Sequence, residues 1–165
     1  MTSPANLRTT DPYNLTRFVQ AQQHDYAHAL AEIKNGRKRT HWMWYIFPQL
    51  DGLGVSPTAK HYAIKSLAET QAYLAHSLLG PRLRECMEAT LHIEGRSARD
   101  IFGTSDDLKL RSCATLFACA SPPTSVFDRV LRKYYPGGRD GRTLQLLGMA
   151  PGGGAAPGQP RVAAK

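Results

Sequence analysis

Three things are scarce in this sequence. No run of apolar residues approaches the roughly 20 needed to cross a bilayer as a helix, and the segment from Met1 to Thr10 is polar with no apolar signal core. A cytoplasmic protein without membrane association is therefore expected. Cysteine is the second: Cys86, Cys113 and Cys119 make an odd count with no CxxC pair. A disulfide scaffold is excluded in favour of reduced thiols, and without a Cys/His cluster at ligand spacing no metal is expected. Acidic residues are the third, 13 against 21 Lys and Arg, for a formal charge of +8. Two of those positive charges, Arg161 and Lys165, lie in the last residues, which leaves +6 for the rest. A basic body favours anionic partners such as phosphates, nucleotides or nucleic acid, and equally serves solubility. Neither a GxGxxG nor a Walker pattern is present, and no nucleophile elbow, so no cofactor is expected.

Period-two alternation is also missing, which argues against strands. What is present is helical spacing. Leu15, Phe18, Val19, Gln22, Tyr26, Ala29, Leu30 and Ile33 form a stripe on a helix from about Asn14 to Asn35, started by Asp11-Pro12 or Asn14 and ended by Gly36. Ser56-Pro57 opens a second helix, and Ser66-Leu67-Ala68-Glu69 reads as a capping box. Leu79, Leu83, Met87 and Leu91 share the face of another, and Ser97 to Phe102 makes a turn or two. Ser105 or Asp106 starts a strong helix through Ala120, stopped by Pro122-Pro123. Thr124 starts the next, with Val126, Phe127, Val130, Leu131 and Tyr134 facing inward, and Asp140 a last short one. The expected fold is all-α: a compact single-domain multihelical array over residues 11–148, after a flexible lead at 1–10 and before a disordered Gly/Ala/Pro tail at 149–165.

Both tryptophans lie within ten residues, in His41-Trp42-Met43-Trp44-Tyr45-Ile46-Phe47-Pro48-Gln49-Leu50. Met43 to Phe47 has strand-like composition, but a lone strand would leave backbone groups unpaired in the core, so short helices are expected around this segment. Trp42, Trp44 and Tyr45 offer faces for stacking a base or sugar, with His41 and Gln49 for polar contacts. The same aromatics equally suit a core. The basic run Lys34, Arg37, Lys38 and Arg39 precedes the segment and complements a helix C-terminus. It is also the one place where a nucleic-acid-binding module would put its charge.

Asp107, Lys109, Arg111 and Ser112 form the second constellation. The spacing of Asp107 and Arg111 predicts a surface ion pair, and Lys109 and Ser112, three apart, can share a pocket with an anion. His24 and His28 lie four apart on a solvated face, and Gly52-Leu53-Gly54 reads as a turn before a capped helix.

Several motifs in order carry a family resemblance: Asp11-Pro12-Tyr13-Asn14-Leu15 with Arg17-Phe18 and Ala21-Gln22, then His41 to Gly54, Ala72-Tyr73-Leu74-Ala75-His76, Leu79-Gly80-Pro81-Arg82-Leu83, Ile101-Phe102-Gly103 and Asp107-Leu108-Lys109-Leu110-Arg111-Ser112. In these the chain resembles the domain-of-unknown-function family 1810, some bacterial members of which carry the label "calpastatin". The resemblance spans about Asp11 to Leu147 and implies a mainly helical fold, without an activity or catalytic residues. Where that family typically reads Ser-Ser-Met-Thr-Leu-Phe, this chain has Ser112-Cys113-Ala114-Thr115-Leu116-Phe117.

The leading functional reading is a pocket for a small anionic, nucleotide- or phosphate-bearing ligand, lined by Trp42, Trp44, Gln49, Lys109, Arg111 and Ser112. If it is catalytic, hydrolysis or glycosidic cleavage with His41 or Asp107 as acid–base is the least strained chemistry. The alternatives are a nucleic-acid-binding module using residues 34–39 and a non-catalytic protein-interaction domain. Oligomeric state is not encoded in any of these signals.

Overall fold

The computed structural model describes residues 11–149. The expected lead at 1–10 and the tail beyond Met149 lie outside the described residues. Among the described residues there are nine α-helices and no strand: α1 (Thr16–Lys34), α2 (Met43–Ile46), α3 (Pro57–Tyr62), α4 (Leu67–Ala75), α5 (Leu79–Leu91), α6 (Ala98–Phe102), α7 (Asp106–Cys119), α8 (Val126–Tyr134) and α9 (Gly141–Leu146). The fold is all-α, as its periodicity predicts. One isolated parallel bridge joins Leu50 to Ile64, through Asp51 N–H to the Ile64 carbonyl (2.8 Å) and Ile64 N–H to the Gln49 carbonyl (2.9 Å). It gives the backbone after α2 the partners that a buried irregular segment requires.

The centre of the array is α7. Leu110 and every residue from Ser112 to Ala118 are buried, because α4, α6, α8 and α9 all pack against this one helix. A helix buried on nearly every side needs small residues for close approach, and Ser112, Cys113, Ala114 and Ala118 supply them. On the other side α5 packs between α1 and α8, and α2 sits against α1. Phe18, Tyr73, Phe117 and Phe127 run through the core as one chain of aromatic contacts, with centroid separations of 5.1 to 5.6 Å.

Helix ends depart from expectation in instructive ways. Of the two candidate starts for α1, Asp11 rather than Asn14 serves: Asn14 has φ +53°, and Asp11 reaches forward to accept from Leu15 N–H at 2.7 Å and Thr16 N–H at 3.1 Å. At the far end Gly36 does stop α1, by a Schellman motif: Gly36 N–H donates to the Ile33 carbonyl (2.8 Å) and Arg37 N–H to the Glu32 carbonyl (3.1 Å). The box at Ser66 is half made. Ser66 Oγ accepts from Glu69 N–H, but the Glu69 carboxylate accepts from Lys65 N–H and Arg17 instead of returning to Ser66. Ser105 makes no side-chain cap and has φ +84°. Ser125, not Thr124, caps α8. The full capping box belongs to Ser97 and Asp100 on α6.

Arg17 ties the N-terminal half together. Its guanidinium donates to the carbonyls of Tyr13, Asn14, His61 and Ala63 and to Glu69 Oε2 at 2.7–2.9 Å. All five of its N–H groups are thereby used. The α4–α5 corner turns on His76, whose Nδ1 accepts from Leu78 N–H (3.1 Å) and Leu79 N–H (3.2 Å), and on Gly80, which is buried against α4.

Gly80 gives a test of that corner. Gly-to-Ala in a helix ordinarily stabilises by about 1 kcal/mol. Here a Cβ would lie 2.2 Å from the Leu74 carbonyl oxygen, a backbone atom that cannot swing aside. Gly80→Ala is expected to destabilise the domain by about 2–3 kcal/mol, lowering Tm by roughly 5–10 °C. Differential scanning calorimetry measures this; an unchanged or raised Tm would show that the two helices are not in contact there.

Candidate functional site

Between α1 and α2 the chain reverses around one carboxylate. Glu32 is buried. Its Oε1 accepts from Arg39 N–H (2.8 Å), Thr40 N–H (3.1 Å) and Trp42 Nε1–H (2.8 Å), and its Oε2 accepts from Thr40 Oγ1 (2.8 Å). His28 Nε2 lies 3.0 Å from Oε2. Burial pushes the Glu32 pKa up, but the hydrogen bonds from Arg39, Trp42 and Thr40 outweigh it and bring the carboxyl from 4.5 down to about 2.

This anchoring determines what the two tryptophans do. Trp42 is buried, with its indole N–H on Glu32. It belongs to the core and offers no ligand wall, which corrects its assignment as a lining residue. Trp44, two residues on, emerges on another side of α2 and is half-buried. The Lys109 ammonium of α7 lies 5.6 Å from the Trp44 ring centroid, within cation–π range, so the two sequence constellations do meet. Lys109 is 3.1 Å from Asp106 Oδ1, and Lys38 is 2.9 Å from Asp106 Oδ2. Lys38 also lies 5.1 Å from the Trp42 ring centroid. Two ammonium groups therefore share one carboxylate, and the Lys38 side chain is only 8 % exposed against 32 % for Lys109.

Trp44 and Gln49 line a common depression, closed by Leu50, Gly54, Ala59, Tyr62 and Ala63. Its volume is about 20 Å³, room for one water. Gly54 forms its wall because a Cβ there would lie 2.5 Å from the Ala59 Cβ. Gln49 makes no side-chain hydrogen bond among the described residues, while its carbonyl serves the Ile64 bridge.

The remaining predicted residues do not join this face through any contact. His41 is exposed, and only its carbonyl is engaged, by the Tyr45 hydroxyl at 3.3 Å. Asp107 forms no ion pair with Arg111. Its carboxylate accepts from Leu108 N–H at 2.8 Å and its carbonyl from the Tyr135 hydroxyl. Arg111 instead donates to the carbonyls of Gly138 (2.8 Å) and Arg139 (3.3 Å) and lies 5.9 Å from the centre of the Tyr135 ring. Ser112 is buried and donates to the Leu108 carbonyl at 3.2 Å, which satisfies its hydroxyl within α7. Arg111 and Ser112 are thus both engaged by backbone carbonyls of the fold, away from Trp44 by every contact they make. The residues that sequence reasoning passed over are Glu32, Lys38 as a partner of Trp42, and Asp106. The local signal for Asp106 was its i, i+3 spacing to Lys109.

The cysteine thiols are poor nucleophiles. Burial pushes Cys86 up to about 12 and Cys113 well above the ordinary 9.0, and Cys119 is raised for the same reason. No group of three or more His, Cys, Asp or Glu side chains with metal-binding geometry occurs among the described residues.

The fold and this face define an all-α domain that presents a paired-lysine cluster beside a half-buried indole. The chain belongs to the family described as a protein of unknown function, DUF1810, which matches residues 12–147. Among solved structures it is similar to the crystal structure of the conserved hypothetical protein Rv1873 from Mycobacterium tuberculosis. The identity is 54 %, covering 85 % of this chain and 100 % of that one, with a TM-score of 0.82. No curated protein matches the chain.

Glu32→Gln tests the anchoring. The folded carboxyl has a lowered pKa, so its stabilisation is complete above about 4.5 and disappears as pH falls through about 2. Glu32→Gln should cost about 3 kcal/mol at pH 7, with the gap to wild type narrowing below pH 4.5 and closing near pH 2. Urea denaturation across that range checks it; a pH-independent gap would remove the charge from the explanation.

Proposed function

We propose that this domain binds a small anionic ligand, phosphate- or nucleotide-bearing, with its anionic group beside Lys109 and its planar part on Trp44. The observation that carries this reading is the charge arrangement. Two ammonium groups and one carboxylate leave a net positive charge next to an accessible indole. Lys38 is desolvated and fixed, which holds Asp106, and Asp106 in turn positions Lys109 at the more exposed end. Gln49, which lines the same small depression as Trp44, adds an uncommitted amide. The depression admits only a small group, so the body of the ligand lies across the Trp44 face rather than inside the protein.

The reading is one of binding. The exposed ring of His41 and the helix-bound carboxylate of Asp107 form no acid–base pair by contact, so the geometry lends no support to hydrolysis or glycosidic cleavage. Use of residues 34–39 for nucleic acid is weakened by Lys38, whose charge is engaged by Asp106 and the Trp42 ring. A cytoplasmic setting suits the three free cysteines.

Intrinsic fluorescence provides the assay, because Trp44 is the accessible indole. Titration with inorganic pyrophosphate, AMP and glucose 6-phosphate is expected to quench emission with at least one of them. Lys109→Ala should weaken that ligand by tenfold or more, the worth of one charge-assisted contact. Trp44→Phe should abolish the quenching while calorimetry still detects binding. No response to any of the three, or equal affinity in Lys109→Ala, would refute the assignment.

A further inference from the structure

A separate cleft of about 710 Å³ lies where the end of α1 meets α5 and the loop after it, lined by Lys34, Asn35, Ala89, Ile93 and Arg96 together with three glutamates. Its size falls within the range of small-ligand sites. Glu85 and Glu88 already have donors, and Glu94 has a cation nearby. The Tyr26 hydroxyl bonds Glu85, Arg129 lies 3.0 Å from Glu88 with His92 at 4.0 Å, and Lys133 is 3.9 Å from Glu94. Lys34 and Arg96 have no ion-pair or side-chain hydrogen-bond partner among the described residues. The lining holds two cations and three carboxylates; Arg129 and Lys133, from outside the lining, offset Glu88 and Glu94 and leave Lys34 and Arg96 as its uncommitted charges.

Arg96 is exposed and its side chain passes over the Gly36 backbone. Its Cδ and Nε lie 3.4 Å from where a Cβ of Gly36 would stand, and Gly36 is buried with φ +79°. Both helices that border the cleft end there, and helix C-termini ordinarily repel anions. Here those carbonyls are occupied. The Schellman motif covers the end of α1. At the end of α5, Lys133 Nζ donates to the carbonyls of Leu91 and Ile93 at 2.5 Å, and the Tyr134 hydroxyl to that of Thr90 at 2.6 Å.

We propose that this cleft is a second binding site, which takes a small polyanion of up to mononucleotide size with its oxoanion group, phosphate or carboxylate, on Arg96 and Lys34. The guanidinium fork supplies two parallel donors to such a group, the Asn35 amide lies alongside, and Ala89 and Ile93 provide an apolar wall for the rest of the ligand. The inference does not depend on the Trp44 face.

Amide NMR of the full chain tests it with two probes, ADP for phosphate and citrate for carboxylate. At least one is expected to shift the resonances of residues 34–36 and 92–96. Response to ADP alone assigns phosphate, to citrate alone carboxylate, and to both a general oxoanion site. Arg96→Ala should weaken binding by tenfold or more, and Arg96→Lys should recover part of it. Lys109→Ala, which leaves the cleft intact, should not change it. The proposal is overturned if neither probe shifts these residues, or if affinity survives in the double variant Lys34→Ala/Arg96→Ala.

Discussion

The N-terminal half of this domain depends on the Glu32 carboxylate. A buried acid is costly unless its oxygens are fully bonded, and here the chain after α1 folds back so that two backbone N–H groups, a hydroxyl and an indole N–H all converge on it. That convergence sets the direction of the loop at residues 35–42, and the loop sets the orientation of α2. With Trp42 drawn inward, Met43 and Ile46 follow into the core, and Trp44 is left at the surface. The accessible indole is thus a consequence of where the buried one is fixed.

A second set of contacts gives that surface its charge. Asp106 stands at the start of the central helix and pairs with two lysines, Lys38 from the distant loop that Glu32 shapes and Lys109 from its own helix. Exposed ion pairs contribute little to stability, but this cluster is half-sheltered and its geometry is held by packing on two indoles. It fixes a positive charge in place without neutralising it.

Much of the fold was legible because helices advertise themselves locally. The stripe from Leu15 to Ile33, the stops at Gly36 and Pro122, and the caps at Ser56 and Asp140 all depend on neighbours a few residues away, and they stand in the structure. The errors share a different cause. Arg111 was read against Asp107, four residues off, but its fork is used by carbonyls 27 and 28 residues later. Ser105 looked like a cap by type, yet its left-handed backbone turns the hydroxyl out of reach of the helix N–H groups. Trp42 and Trp44 are indistinguishable by composition, and only Glu32, ten residues before the first of them, decides which is buried. Lys38 reads from its neighbours as charge at the end of α1, whereas its partner Asp106 is 68 positions away, at the start of α7.

The most direct measurement of this account is the titration of the Glu32 side-chain carboxyl, followed by carbon-13 NMR with the Trp42 indole proton as a reporter. The account predicts a midpoint near 2, with the indole resonance moving in step as its acceptor is protonated. A midpoint near 4.5, or an indole proton indifferent to it, would mean that the carboxylate does not gather the loop and that the placement of both tryptophans has another origin.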